Sequence, residues 1–146
     1  MPGRREIPLR WADLDLLGHV NNVRLMEVLQ EARVFLAHDL AEAAGIDDPQ
    51  ALRDGFSQVI ARLEVDFRKP ADLRDGHLIV ESWVEHIGTT SYTVQHRVTN
   101  PSGDDVMIAK SVMVCFDAVE ARPKPLPDGW RAVLMSAAPP ADQGGS

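Results

Sequence analysis

The sequence predicts an α+β fold in which one antiparallel sheet wraps around a single long helix. A helical pattern of apolar residues runs from Val23 to about Ala44, near the N-terminus. Its apolar positions cover most of the helix circumference, which is typical of a helix that other structure surrounds. The chain from Gln58 to Asp117 then shows strand-like patterns separated by turn signals. One helix followed by consecutive strands is an α+β arrangement.

The predicted elements follow one another with short connections. Residues 5–11 are interpreted as a first strand, and Gly45 is the stop signal of the helix. Residues 47–55 are expected to form a loop or a short helix. Further strands are predicted at 58–67, 77–87, 90–99 and 105–117, and a short helical turn at 130–134. In the second strand one face is predicted to carry Val59, Ala61, Leu63, Val65 and Phe67.

Length and composition indicate one soluble domain. The 146 residues suffice for one core, assigned to residues 1–136, and the small, polar residues 137–146 are expected to form a disordered tail. The net charge of −7 argues against nucleic acid as the main partner. A single cysteine excludes a disulfide framework. No secretory or membrane-spanning segment is recognised, so a cytoplasmic protein is expected.

Residues 10–22, RWADLDLLGHVNN, place polar chemistry at the start of the helix. Two carboxylates, a glycine, a histidine and two asparagines lie together there. The first amides of a helix have no intrahelical partner and lie at the positive end of the helix dipole. A carboxylate beside such a site suits attack on a polarised carbonyl.

These residues also resemble the signature of hotdog-fold acyl-CoA thioesterases of the 4-hydroxybenzoyl-CoA thioesterase type. The resemblance covers residues 5 to about 135 in the order of that family. It continues in EAR (31–33), DFRKP (66–70), DGHLIV (75–80), HIGTTS (86–91) and RPKPLP (122–127). It implies a five-stranded sheet around one long central helix, a homodimer or homotetramer, an acyl-CoA substrate and no cofactor.

The resemblance assigns the reaction to Asp15. It makes Asp15 the catalytic carboxylate, acting as a nucleophile or as a general base on water. It makes the backbone N–H of Asn22 the donor that polarises the thioester oxygen, while Asn21 and Asn22 are also good N-cap residues. Asp13 is a possible orienting residue, but a structural hydrogen bond to the nearby turn is the preferred explanation. Both aspartates also suit plain turn capping.

Other residues near the helix have less definite roles. Gly18 permits the sharp turn before the helix, and His19 is interpreted as a substrate contact or as loop packing. Glu31 is the rival catalytic base, because another hotdog branch uses a helix glutamate, and an ion pair with an arginine such as Arg33 is its structural explanation. Leu25 stands where many relatives carry an aromatic residue, so it bears on the acyl pocket.

Two further segments are candidates for substrate binding. Arg68 and Lys69 could meet the phosphates of CoA, or could simply end a strand in solvent. The segment Gly88, Thr89, Thr90 and Ser91 resembles a turn that lies near the pantetheine path in the family, and is otherwise a hairpin. The five histidines show no ligand spacing with carboxylates, so no metal site is predicted.

The predicted function is therefore hydrolysis of an acyl-CoA thioester. Two alternatives stay open. One is an acyl-carrier-protein thioesterase, which would need an exposed basic patch for its acidic partner. The other is a hotdog module that binds acyl-CoA or dimerises without catalysis, with Asp15 as a turn residue.

Overall fold

The computed structural model describes residues 3–46 and 57–136. The predicted loop at 47–55 and the predicted tail at 137–146 lie outside the described residues. Two helices and six strands are present in the described part of the chain. In chain order they are β1 Arg4–Pro8, α1 Asn22–Ala43, β2 Ser57–Phe67, β3 His77–Ile87, β4 Ser91–Thr99, β5 Asp105–Asp117, β6 Arg122–Pro123 and α2 Asp128–Met135.

The strands form one antiparallel sheet in the order β1-β3-β4-β5-β2, with β6 added beside β5. The sheet curls around α1, whose inward stripe is buried against it. Apolar side chains from the start of α1 pack with β1 and β3, and Leu36 and Leu40 near its end pack with α2. The predicted α+β architecture is confirmed, and it separates the core into two clusters along the helix.

Several details differ from the sequence-based expectation. The predicted first strand is too long, because residues Trp11–Asp13 form a 3-10 turn after β1 ends at Pro8. The described sheet has a sixth, two-residue strand, and α2 is a second helix rather than a single turn. A local pattern could not reveal β6, because its pairing with Phe116 and Asp117 is decided by the sheet and not by alternation.

A β-bulge in β2 overturns the predicted face assignment of that strand. The register with β5 shifts between Ile60 and Arg62, so the side-chain alternation changes phase there. Leu63 pairs with the inward-facing Ser111, whereas Ile60 pairs with Met113, which also faces inward. The inner face of β2 therefore carries Gln58, Ile60, Leu63, Val65 and Phe67, and not Val59 or Ala61.

Helix α1 is covered by this chain on one side only. Val28 and Leu29 are fully buried, but Val23 and Val34 are exposed by 69% and 47%. The inner face of β2 is also open, with Leu63 and Phe67 exposed by 38% and 51%. No helix in residues 3–46 or 57–136 is long and apolar enough to cross a membrane. The sequence predicted a helix that other structure encloses on most sides, but the described part of one chain leaves some of its apolar surface exposed.

A histidine lies in the middle of the sheet, beneath α1. His96 of β4 is fully buried, with Nδ1 2.8 Å from the Ser82 hydroxyl and Nε2 3.1 Å from the Ser111 hydroxyl. Burial, and secondarily the charge of Arg33, lower the pKa of His96 to about 3. The imidazole is therefore neutral in the folded protein at ordinary pH, while it titrates near pH 6.5 in the unfolded chain.

This difference predicts a loss of stability in mild acid. Because the folded pKa of His96 lies below the unfolded value, its contribution is complete above about pH 6.5 and is lost as the pH falls. Between about pH 6.5 and pH 5 the free energy of unfolding should fall by about 2 kcal/mol more in the wild type than in His96→Gln. Urea titrations at both pH values measure this difference, and parallel losses in the two proteins would contradict the prediction.

Candidate active site

A tight turn carries Asp15 to the start of α1. Leu14 and Val20 form an antiparallel bridge, and the Asp15 N–H donates to the His19 carbonyl at 2.7 Å. Gly18 completes the turn with φ of +80°, a conformation that costs other residues about 1–3 kcal/mol. The segment around Ala71 of the same chain supports the turn, since the Val20 N–H donates to the Ala71 carbonyl at 2.7 Å. The backbone therefore fixes Asp15 in place.

The Asp15 carboxylate is itself oriented by the turn. Oδ1 accepts the N–H groups of Leu17 and His19, at 2.8 and 3.1 Å. Oδ2 has no hydrogen-bond partner among residues 3–46 and 57–136, and the side chain is exposed. One oxygen is thus committed to the turn, while the other is available to a water molecule or a substrate.

Helix α1 begins with a cap that leaves two amides available. The Asn21 side chain accepts the Arg24 N–H at 2.8 Å, and the Asn21 carbonyl accepts the Leu25 N–H at 3.1 Å. The N–H groups of Asn22 and Val23 have no acceptor in the described part of the chain, and both residues are exposed. Asn21 is therefore the N-cap, and Asn22 is the first helical residue.

Asp13 is a buried structural anion. Its carboxylate is 2% exposed and accepts three hydrogen bonds from Arg10, the shortest at 2.8 Å, with Arg24 Nε 3.4 Å away. Burial alone would raise the pKa of Asp13, but the Arg10 hydrogen bonds and the Arg24 charge outweigh it and lower the pKa. The Asp13 carbonyl also accepts from Asn21. Asp13 thus joins the turn to the helix cap, and within the described residues its carboxylate forms no hydrogen bond with Asp15.

Glu31, the rival catalytic base, is held in an ion pair. Its Oε1 lies 2.9 Å from Nη1 of Arg24, not beside Arg33 as the sequence suggested. It also lies about 14 Å along the helix axis from Asn22, at about 1.5 Å per residue. Glu31 therefore does not share a site with the available amides within one chain.

A shallow cavity of about 280 Å³ lies beside the Asp15 turn. The imidazole of His19 lines it, and that ring has no hydrogen bond to residues 3–46 or 57–136. Around it, Trp11 and Leu17 are exposed by 80% and 81%, which is unusual for large apolar side chains on one surface. The lining residues are Trp11, Leu14, Leu17, Gly18, His19, Asp72, Leu73 and Arg74.

The basic residues after β2 lie at the same end of the molecule. Arg68 and Lys69 precede Ala71 by three and two residues, and the Ala71 carbonyl accepts a hydrogen bond from the Asp15 turn. Lys69 forms an exposed ion pair with Asp104 at 2.7 Å, and this hydrogen bond raises the pKa of Lys69. Leu25, in contrast, belongs to the closed core at 5% exposure, so it does not line an open surface.

The turn at Gly88, Thr89, Thr90 and Ser91 lies at the opposite end of the molecule. Strand β3 starts beside the Asp15 turn, and its eleven residues rise about 3.3 Å each before the chain reaches Gly88. Arg131 of α2 donates to the carbonyls of Gly88 and Thr89, at 2.8 and 3.1 Å. One chain therefore does not bring this turn to Asp15.

Thiol and metal chemistry find little support among the described side chains. Cys115 is fully buried, and burial raises the pKa of its thiol, which is the environment of an inert cysteine. Residues 3–46 and 57–136 contain no group of three or more His, Cys, Asp or Glu side chains that could hold a metal ion.

Several residues that support the site and the core cannot be recognised from the sequence alone. Arg10 and Arg24 hold Asp13, but nothing in the sequence marks an arginine inside an apolar helix as a partner for a residue eleven positions earlier. Ser82 and Ser111 meet His96 only through the strand register. In β4, alternation puts His96 on the same face as Val94 and Val98, and a polar residue on such an apolar face is the available signal.

Comparison with known proteins identifies the family of this chain. The sequence profile of the thioesterase-like superfamily matches residues 9–134. The long-chain acyl-CoA thioesterase FadM of Escherichia coli K12 is 27% identical over 117 residues, covering 77% of this chain and 81% of FadM. A thioesterase from Thermus thermophilus, crystallised with coenzyme A and Zn, is 30% identical, with 91% of each chain covered and a TM-score of 0.75.

A more distant structure supports the fold alone. A 1,4-dihydroxy-2-naphthoyl-CoA thioesterase from Synechocystis is 19% identical, with 94% of this chain and 98% of that chain covered and a TM-score of 0.75. The hotdog fold predicted from the sequence is thereby confirmed. Since the family profile spans nearly the whole described structure, from residue 9 to residue 134, the chain belongs to the thioesterase-like superfamily.

Proposed function

We propose that this protein hydrolyses acyl-CoA thioesters, with Asp15 as the reactive carboxylate and the start of α1 as the oxyanion site. One observation carries the proposal. Asp15 has one oxygen fixed by turn amides and one oxygen available, and the same short segment ends in two helical amides without acceptors in the described residues. A positioned base and positioned N–H donors are what acyl transfer to water requires.

The chemistry follows from these two groups. In the general-base route, Oδ2 of Asp15 takes a proton from water as the water oxygen attacks the thioester carbon. The carbonyl oxygen becomes an oxyanion and accepts hydrogen bonds from the N–H groups of Asn22 and Val23. Collapse of this intermediate breaks the C–S bond. The proton passes to the CoA sulfur, and the free acid and CoA thiol leave.

In the nucleophilic route, Oδ2 itself attacks the carbonyl and releases CoA thiolate, and water then hydrolyses the mixed anhydride. Both routes use the same oxyanion site. A single turnover in water enriched in heavy oxygen can establish the nucleophilic route. Label in Asp15 requires attack of water on the aspartyl carbon of an anhydride, whereas label in the free acid arises both from the general base and from attack on the acyl carbon of the anhydride.

CoA as the leaving group is supported by the relatives and by charge. FadM is named for acyl-CoA, and the Thermus thioesterase was crystallised with coenzyme A. In this chain, Arg68, Lys69 and the exposed Arg74 lie beside the Asp15 turn. Cations at that end suit the phosphates of CoA.

The direct test is an acyl-CoA panel. It should include short and long aliphatic thioesters and 4-hydroxybenzoyl-CoA, because the sequence resembles thioesterases of that type. The same acyl groups on acyl carrier protein form a second arm. We expect hydrolysis of at least one CoA thioester at a kcat/KM above that of its carrier-protein counterpart. Absence of hydrolysis across the panel, with a folded protein, would refute the proposed function.

We further propose that two copies pair through β2 to complete the site. Strand β2 is a sheet edge of eleven residues whose inner apolar face is open. In a two-fold arrangement, antiparallel pairing of the two β2 edges places the Asp15 end of one copy beside the opposite end of the other. The turn from Gly88 to Ser91 could then reach the substrate of the second copy.

This arrangement predicts a stable dimer, or a tetramer built from it, at micromolar concentration. Light scattering should give at least twice the mass of 16.1 kDa. Amide hydrogen exchange should show β2 protected along its whole length, because pairing would bind the N–H groups that face away from β5. A monomer with half of the β2 amides in fast exchange would remove the proposed interfacial site.

A further inference from the structure

A row of four polar side chains crosses the interior between the sheet and α1. Ser82 of β3, His96 of β4 and Ser111 of β5 are 5%, 0% and 0% exposed. The row ends at Arg33 of α1, whose Nη1 lies 3.3 Å from the Ser111 hydroxyl. Buried polar groups lower the stability of a fold unless they form hydrogen bonds with one another. The row therefore calls for an explanation, and the residue at its end, Arg33, supplies one.

Hydrogen bonding links the row into one chain from Arg33 to Ser82. A guanidinium can only donate, so the Ser111 oxygen accepts from Arg33. His96 bonds Ser111 through Nε2 and Ser82 through Nδ1, with one ring nitrogen as donor and the other as acceptor according to the tautomer. Neutral His96 suits this arrangement, because only a neutral imidazole both donates and accepts. The row therefore serves as a support that orients Arg33.

The charge of Arg33 is not balanced by the described chain. No carboxylate within residues 3–46 and 57–136 forms an ion pair with it, and Ser111 is its one hydrogen-bond partner there. Burial lowers the pKa of Arg33, as expected for a cation withdrawn from water. Arg24, on the same helix, instead has Asp13, Glu27 and Glu31 within 3.4 Å. Arg33 is half-buried, is held in one orientation and has no anionic partner in the described residues, so it is suited to bind an anionic ligand.

Arg33 lies on the open side of the interior. Ser111 pairs with Leu63 of β2, whose inner face is apolar and uncovered. On α1 the same side carries Met26, which is partly buried against the core, as Val65 of β2 is. Arg33 is about 16 Å along the helix axis from Asn22, at about 1.5 Å per residue. An acyl group bound with its carbonyl at Asn22 could thus run between α1 and β2 toward Arg33.

From this geometry we infer that Arg33 binds a carboxylate at the far end of the acyl group, so that the preferred substrates are CoA monothioesters of dicarboxylic acids. The inference rests on the proposed function. The apolar faces of α1 and β2 would accept the methylene chain, and the guanidinium would bind the distal carboxylate. A charged hydrogen-bonded pair in such a site is strong enough to discriminate between substrates.

The test compares each acyl-CoA with its ω-carboxyacyl-CoA counterpart over a range of equal chain lengths. We expect the wild type to favour the ω-carboxy substrate at one length or more. Arg33→Met should lower kcat/KM for that substrate about ten- to a hundredfold, the worth of a hydrogen bond to a charged group. Its kcat/KM for the plain acyl-CoA should stay within a few fold.

Two variants and a measurement of the oligomeric state make the result decisive. Arg97→Met removes a cation from the outer face of β4, beside His96, and should leave the substrate ratio unchanged. Arg33→Lys keeps the charge and should retain part of the preference, which also guards against a folding defect in Arg33→Met. An equal loss on both substrates, or loss of the dimer in Arg33→Met, would show that Arg33 is structural and overturn the inference. No hydrolysis of any acyl-CoA by the wild type would instead refute the proposed function.

Discussion

Replacement of Asp15 by asparagine should leave a folded protein that has lost nearly all thioesterase activity. The Asn side-chain carbonyl can still accept the N–H groups of Leu17 and His19, which the Asp15 Oδ1 atom accepts in the native turn. The substitution therefore removes the negative charge without removing the turn. Loss of a general base or nucleophile lowers kcat on the order of 10²–10⁴-fold. Steady-state kinetics measure the loss of kcat, and circular dichroism with thermal melting shows whether the variant is folded.

Two other carboxylates provide matched controls for this experiment. Asp13→Asn weakens a buried ion pair with Arg10 and Arg24, so it should lower the free energy of unfolding by about 1–3 kcal/mol and affect the turnover of folded enzyme less. Glu31→Gln should lose only the ion pair with Arg24. If Glu31→Gln is inactive while Asp15→Asn turns over at nearly the native rate, the helix glutamate is the base and the assignment of Asp15 is wrong.

Replacement of Asn22 by proline should nearly abolish turnover without damaging the helix. Asn22 is the first helical residue, a position that proline favours. Asn21 before it is extended, with φ of −73° and ψ of 156°, as a residue preceding proline must be. The variant therefore removes one N–H donor and little else. Loss of one oxyanion donor costs about 10²–10³-fold in kcat.

Asn22→Ala is the matched control, because it truncates the side chain and keeps the N–H. Since the cap is Asn21, and not Asn22, this variant should lose little stability and little activity. Comparison of kcat for the two variants separates the backbone donor from the side chain. A folded Asn22→Pro enzyme with near-native turnover would rule out a backbone oxyanion site at this position.

Most of the fold was predictable because local patterns determine it. Strands β3 and β5 were predicted with the observed bounds, since each is rich in apolar and β-branched residues and each is bracketed by turn residues. Helix α1 was predicted to within one residue at each end. The face of β2 was not predictable, because the bulge near Ala61 depends on pairing with β5. Strand β6 was missed for the same reason.

The candidate site divides in the same way. The short segment from Asp13 to Asn22 was recognisable because its parts are neighbours in sequence, and the turn and the cap are local structures. The buried ion pairs and the polar row are decided by long-range contacts. Arg33 and Ser111 are far apart in sequence and meet only when α1 lies on β5. The candidate carboxylate Asp15 could be proposed from the sequence. The buried ion pairs near it, and the lack of an anionic partner for Arg33, could not.

The two edges of the described sheet are unequal in length, and this bears on whether copies of the chain can polymerise through them. Strand β2 offers eleven residues for pairing, whereas the opposite edge, β1, offers five and ends in Pro8. In the proposed dimer the two β2 edges pair with each other, and among the described strands the two short β1 edges are left facing solvent. A short edge that ends in proline recruits further strands poorly. In the proposed dimer, growth through the sheet edges would therefore stop after one step, and this would protect the chain from fibrous aggregation.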